Sequence, residues 1–225
     1  GFLVHFNYLK RTYSLSFDKF IFSPQFGYTF TAGVAAGVAM GVPVMVAVRA
    51  LTDKFRLPPG RLSLIPGIKS SLIIDSSYNA SKQPVLDALE LLNTFGKRRK
   101  LAILGDMREL GDQAQMEHQE VARAAVKVAD VIVTVGPLMQ KYFVPQALEL
   151  GFKADKIFTF MSSSEAGKFI KDQLIKKDDV VLVKGSQNTI FLERVVEMLM
   201  ARPQDAGSLL ARRGKFWDKM RAKTP

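Results

Sequence analysis

A chain of 225 residues with 48% hydrophobic side chains can bury a sizeable core, and its lack of cysteine excludes disulfides and thiolate chemistry and suits a reducing cytoplasm. His5 and His118 are its only histidines, too few for a typical zinc site, so no metal site is expected. The net charge of +11 sits at the two ends: residues 1–70 carry eight basic and two acidic groups, residues 201–225 seven and two, and the middle seventeen of each. No helix-turn-helix, zinc-finger or RNP-like pattern accompanies those ends, so no specific nucleic-acid partner is expected.

The first 25 residues hold three short runs rich in Phe, Tyr, Leu and Val, separated by "LKRT" and "FDK", which predicts a small antiparallel meander. Residues 26–48 carry no charge and are long enough on paper to cross a bilayer. They are nevertheless rich in Gly and Ala and are interrupted by "GVP" at 41–43. Two packed helices, 31–40 and 43–55, are therefore expected in place of a membrane span, with Pro43 in the first turn of the second. No basic n-region opens the chain, so no signal peptide is expected. The break "RLPPGR", with Pro58, Pro59 and Gly60, marks a boundary between domains 1–58 and 59–225.

Beyond the break the period changes. Apolar runs at 70–75, 100–104, 130–135, 156–160 and 179–183 alternate with helical patterns at 83–95, 113–128, 138–150, 163–176 and 189–200, which predicts an α/β, mostly parallel, doubly wound sheet. "LAILGD", "DVIVTVG" and "DVVLVKGS" are apolar almost throughout, as strands covered on both faces must be. In such a sheet ligands bind at the carboxyl ends of the strands, and Asp75, Tyr78, Asn79, Gly105, Asp106, Lys184 and Ser186 all fall there. The tail residues Leu209, Leu210, Phe216, Trp217 and Met220 recur near helical spacing, which predicts an amphipathic helix packed on the sheet domain with its arginines in solvent.

Several chemistries are absent. No G-x-G-x-x-G follows the first strand, and "FGKRRK", "AGKFI" and "RRGKFW" lack the spacing and the hydroxyl of a G-x-x-x-x-G-K-S/T phosphate loop. His118 lies inside a helical pattern and beside no nucleophile, which argues against a Ser-His-Asp triad.

The segments "PGRLSLI", "IIDSSYNA", "LAILGDMRELG" and "VVLVKGS" stand in the order and at the approximate spacing found in the Mur ligases, which this chain resembles over 59–200, most closely the D-alanyl-D-alanine-adding type. The resemblance implies a Rossmann-like C-terminal domain of a three-domain enzyme, preceded by a remnant of the central ATPase domain. It implies ATP and Mg2+ as cofactors, bound mainly by a part of the enzyme upstream of these residues. The implied partners are a UDP-muramoyl peptide and a D-amino-acid dipeptide, joined through an acyl phosphate that an amine attacks.

Carried over by position, the resemblance implies that Arg61 reaches the ATP phosphates, Asp75 accepts from the ribose hydroxyls, and Tyr78 and Asn79 sit by the nucleotide and the incoming amine. Asp106, Glu109, Lys184 and Ser186 would face the substrate, and Lys184 is the expected catalytic residue. Lys184 has a structural alternative as the partner of Asp75 or Asp106, and Asp106 and Glu109 have one as helix-start carboxylates. The family's "DDSYNANP" appears here as residues 75–82, "DSSYNASK", and its "GRHN" as Gly27, Tyr28, Thr29 and Phe30. The alternative expectation is a Mur-ligase-like binding module without catalysis.

Overall fold

The computed structural model describes residues 1–17, 24–186 and 190–223, which divide into two compact units, Gly1–Leu57 and Pro58–Pro225.

In the first unit β1 (Phe2–Tyr8) and β2 (Arg11–Phe17) form an antiparallel hairpin, with Phe2 opposite Phe17 and Tyr8 opposite Arg11. Leu9 and Lys10 make its two-residue turn with both φ values positive, 44° and 60°, which matches the right-handed twist of the flanking strands. Alternate side chains of β1, Phe2, Val4 and Phe6, pack on a core of Leu15, Phe17, Phe30, Val34, Ala47 and Val48. That core receives Phe30 and Val34 from α1 (Phe26–Ala39) and Ala47 and Val48 from α2 (Val44–Lys54). The Phe30 ring stacks on Phe17 at 4.3 Å and meets Phe55 edge-on at 5.0 Å.

The third run of the expected meander falls largely on residues 18–23, outside the described residues. The uncharged stretch divides where Gly41 (φ 84°) and Pro43 end α1 and open α2. Among the described residues no helix is long and apolar enough to cross a membrane.

The second unit is built on one six-stranded sheet in the order β3-β4-β8-β5-β6-β7. Its strands are β3 (Ser63–Pro66), β4 (Leu72–Ser76), β5 (Lys100–Gly105), β6 (Val131–Val135), β7 (Ile157–Phe160) and β8 (Val180–Lys184). All pair in parallel except β3, which runs antiparallel to β4 at the edge, where Pro66 costs the ladder no hydrogen bond. The intervening helices are α3 (Lys82–Asn93), α4 (Ala114–Val128), α5 (Val144–Glu149), α6 (Ser163–Phe169) and α7 (Glu193–Leu199), followed by α8 (Ala206–Leu209) and α9 (Lys215–Ala222).

Ile73, Ile103, Val133, Val181 and Val183 pack on Ala166 and Ile170 of the α6 segment and on Val195, Val196 and Leu199 of α7. Their neighbours Ile74, Ala102, Leu104, Ile132 and Leu182 are also buried and point to the other face, the side of α3 and α4. Helices on both faces make the sheet doubly wound, as the continuously apolar strands require. The pattern at 138–150 is not one regular helix: Met139–Phe143 forms a π-turn before α5, because Pro145 has no N–H for the carbonyl one turn back.

Each unit has its own hydrophobic cluster, one on Phe30 and one on the sheet. Expressed alone, residues 58–225 should therefore unfold in one cooperative transition. Coincident far-UV and near-UV circular dichroism melts check this; a product without near-UV signal would show that the sheet unit borrows core from elsewhere.

Candidate functional site

Because β8 lies between β4 and β5, the carboxyl ends of these three strands stand side by side. A Cβ on Gly105 would come within 2.9 Å of the Ile190 side chain, and one on Gly185 within 3.2 Å of the Gly105 Cα, so the close approach of the β5 and β8 ends favours glycine at both positions. Beyond the glycines the loops are tied together through Ser186. Its hydroxyl donates to the Ala80 carbonyl at 3.1 Å and accepts from the Arg108 N–H at 3.0 Å, while its own N–H donates to the Asp106 carbonyl at 3.0 Å. The structure thus places Ser186 as a stitch between the loops after β4, β5 and β8.

Lys184 closes the last turn of the central strand and is 2% exposed. Its Nζ donates to the Asn79 carbonyl at 2.7 Å, and neither Asp75 nor Asp106 forms an ion pair with it among the described residues. Burial, reinforced by the positive charge of Arg61, lowers its pKa to about 8, and the carboxylate of Asp75 opposes that shift. Asn79 is exposed, and its side-chain oxygen accepts from the Ala80 N–H at 2.9 Å.

Asp75 is fully buried at the end of β4. Its Oδ1 accepts from the Ser77 N–H at 3.0 Å, and its Oδ2 has no hydrogen-bond partner. Burial raises its pKa to about 6, against the hydrogen bonding from Ser77. Two further charges bear on it, repulsive from Glu193 and attractive from Arg212.

Arg212 overturns the expectation of a solvated tail. The side chains of Arg212 and Glu193 are 1% and 0% exposed and pair at 2.9 Å. Arg212 also donates to the carbonyls of Ser77 and Tyr78, and its guanidinium lies over the Tyr78 ring, 5.0 Å from its centroid. The exposed Arg61 approaches the same ring at 4.9 Å. The single tail helix is also not formed: Arg212 (φ 56°) and Gly214 (φ 102°) separate α8 from α9. Leu210 is buried and Phe216 exposed, whereas one amphipathic face would bury both.

A family profile described as "Mur ligase, glutamate ligase domain" matches residues 60–187. The chain belongs to the Mur ligase family. Two curated relatives named "UDP-N-acetylmuramoyl-tripeptide--D-alanyl-D-alanine ligase" come from Bacillus subtilis, 29% identical over 76% of this chain, and from Escherichia coli, 31% identical over 73%. The chain spans 37% and 35% of the length of those two relatives, about a third. Among solved structures, MurF from Acinetobacter baumannii superposes with a TM-score of 0.69 at 26% identity, covering 89% of this chain and 42% of that one. The MurF ligase from Thermotoga maritima in complex with ADP gives a TM-score of 0.67 at 25% identity, covering 87% and 42%.

Within this Mur ligase domain the remaining expected residues separate. The carboxylate of Asp106 is buried and accepts from the Met139 N–H at 2.8 Å, so it holds the start of the helical segment after β6. Gly136 makes that possible, since a Cβ there would lie 2.5 Å from the Asp106 carboxyl carbon. Glu109 is exposed in a left-handed backbone conformation (φ 64°) and shares no hydrogen bond with the other candidates among the described residues.

Three residues that the sequence did not single out for the site complete it. Glu193 and Arg212 form the buried pair, and His118, fully buried, accepts from the Met107 N–H at 3.1 Å while its Nδ1 faces the Ala114 carbonyl at 2.6 Å. His118 thereby fixes the loop that follows β5, and burial lowers its pKa, keeping it neutral. Glu193 did leave a signal, a carboxylate three residues before Val196 on the apolar face of α7.

Two outcomes follow from the buried charges. Arg212→Gln strands Glu193 in the interior and should cost about 3–5 kcal/mol in chemical denaturation, whereas the double change Arg212→Met with Glu193→Leu should recover most of that loss. Asp75, with its pKa raised from 3.8 to about 6, binds a proton on folding within that window, so its contribution to stability falls as pH rises through it. Asp75→Asn should therefore gain melting temperature relative to the parent between pH 4 and pH 7, up to the equivalent of ~3 kcal/mol. Thermal melts at both pH values measure the difference.

Proposed function

We propose that this chain is the C-terminal part of an ATP-dependent, amide-forming ligase that adds a dipeptide, D-alanyl-D-alanine, to a UDP-muramoyl peptide in the cytoplasm. Residues 1–58 are then the remnant of the central ATPase domain, and residues 59–225 the domain that closes over the nucleotide. The observation that carries the reading is the position of Lys184: a buried cation at the end of the central strand, between the loop that bears Tyr78 and Asn79 and the loop that follows Gly105. The names of the relatives support the substrates, and the ADP held by the Thermotoga maritima MurF ligase supports the nucleotide.

The residues present fit a nucleotide in part. Arg61 and Asn79 are exposed and Tyr78 is half-buried, so a guanidinium, an amide and a ring are available to phosphate, sugar and base. Asp75 has a free carboxylate oxygen suited to a hydroxyl donor, but it is fully buried. Contact of Asp75 with a ribose therefore requires the loop after β4 to open. Among the described residues no group of three or more His, Cys, Asp or Glu side chains can hold a metal, so no step is assigned to Mg2+ here.

ATP supplies the phosphoryl group that activates the carboxylate. This chain contributes position and field. Lys184 is positive below about pH 8 and steadies negative charge that develops as the amine attacks, in a site where burial strengthens the interaction. Ser186 and His118 fix the loops that orient the amine, and Arg61 meets the phosphates.

A second reading, a binding module without catalysis, is favoured by the burial of Asp75. Lys184→Ala in the complete enzyme separates the two. The ligase reading expects turnover to fall by ~10² or more, about 2.7 kcal/mol of transition-state stabilisation, at an unchanged melting temperature. A lower melting temperature with normal turnover of the folded fraction would make Lys184 structural, and a complete protein without ATP-dependent amide formation would leave the module.

A further inference from the structure

Charge that is balanced along the middle of the sequence is separated across the sheet. The loops entering β4, β5, β6, β7 and β8, residues 67–71, 94–100, 129–130, 150–156 and 175–179, carry nine basic and four acidic side chains. The loops leaving those strands, residues 77–81, 106–113, 136–138, 161–162 and 185–186, carry one basic and three acidic side chains. The site proposed for the ligase lies on the second edge, so the positive edge belongs to something else.

That positive edge is concave. A cavity of ≈ 580 Å³ is lined by Lys97, Lys153 and Lys156, and a second of ≈ 410 Å³ by Lys127, Leu150 and Val126; Gly151 and Phe152 line both, making one groove. Some of its charges are already engaged: Arg99 pairs with Asp179 at 3.0 Å, Lys156 lies 3.8 Å from Asp155, and Asp130 accepts from the Lys100 N–H. Lys97, Lys127 and Lys153 are exposed, and their side chains have no ion pair or hydrogen bond among the described residues. Three free ammonium groups thus share this groove with the apolar side chains of Phe152, Leu150 and Val126.

We infer that this groove binds an acidic, extended peptide segment from outside these 225 residues, its carboxylates on Lys97, Lys127 and Lys153 and an apolar side chain on Phe152. A peptide alternates its side chains, so carboxylates can reach the lysines while the residues between them pass Asp130 and Asp155 or enter the groove. A continuous row of phosphates would meet those two aspartates. Phe152 is half-buried and alone, whereas single-stranded nucleic acid is held on successive exposed rings. A planar lipid surface does not reach a half-buried ring in a groove. These 225 residues hold no acidic run longer than Asp178 and Asp179, so the segment lies outside them.

The test is fluorescence anisotropy of a short labelled peptide alternating glutamate with leucine, titrated with the full chain. Saturable binding that weakens with added salt is expected, with a loss of roughly tenfold or more on the double change Lys97→Glu with Lys153→Glu. Both positions are exposed, and an unchanged melting temperature confirms that the fold is kept. Reversal of Lys215 and Lys219 in α9 should leave binding unaltered, and a peptide with serine in place of leucine should bind several-fold more weakly. Equal binding by the Lys97/Lys153 variant overturns the inference. So does tighter binding of a labelled single-stranded oligodeoxynucleotide, or of phosphatidylglycerol vesicles, through the same two lysines.

Discussion

The pairing of β8 with both β4 and β5 is the constraint on which the rest of the sheet unit depends. Val183 stands opposite Asp75 on one side and Ile103 on the other, so a strand that enters late in the chain becomes the centre of the sheet. Once it is there, Lys184 can only emerge between the loops after β4 and β5, and glycine at 105 and 185 eases the approach of those ends. The stitching by Ser186 follows from the same adjacency, because its partners Ala80, Asp106 and Arg108 belong to the two flanking loops.

That centre is electrostatically expensive. Desolvation pushes Asp75 and Glu193 towards the neutral acid and Lys184 towards the neutral amine, so every charge retained there must be held by a partner. Arg212 supplies the main compensation for Glu193, reaching from the tail to its carboxylate and to the carbonyls of Ser77 and Tyr78. A buried pair of this kind adds little stability over an apolar pair of the same volume, but it fixes one arrangement of the Tyr78 loop. The tail is thereby coupled to the site: what displaces Arg212 also frees the carbonyls of Ser77 and Tyr78.

The two edges of the sheet divide the work of the charges. Asp106 on the carboxyl edge is consumed locally by the Met139 N–H and Asp75 by the Ser77 N–H, whereas Lys97, Lys127 and Lys153 of the opposite edge remain in solvent. Net charge summed over the chain, +11, conceals this separation, because it weights the termini and averages the sheet.

The strands were legible in the sequence because a parallel strand covered on both faces must be apolar throughout, and "LAILG", "VIVTV" and "VVLVK" could satisfy no other environment. The break at Pro58 and Pro59 and the division of residues 26–48 were legible for an equally local reason, the fixed backbone of proline and the freedom of glycine. The polar residues at the strand ends were found by the same rule, which says where ligands meet such a sheet but not which side chains are free to meet them. Tertiary structure alone decided that Asp106 caps a neighbouring helical segment, that Ser186 ties loops and that Arg212, read as a solvated tail charge, is the partner of Glu193. Each of these is a contact between residues distant in sequence, made where strand order brings loop ends together. Strand order is set by the packing of the whole sheet, and no local pattern of residues encodes it.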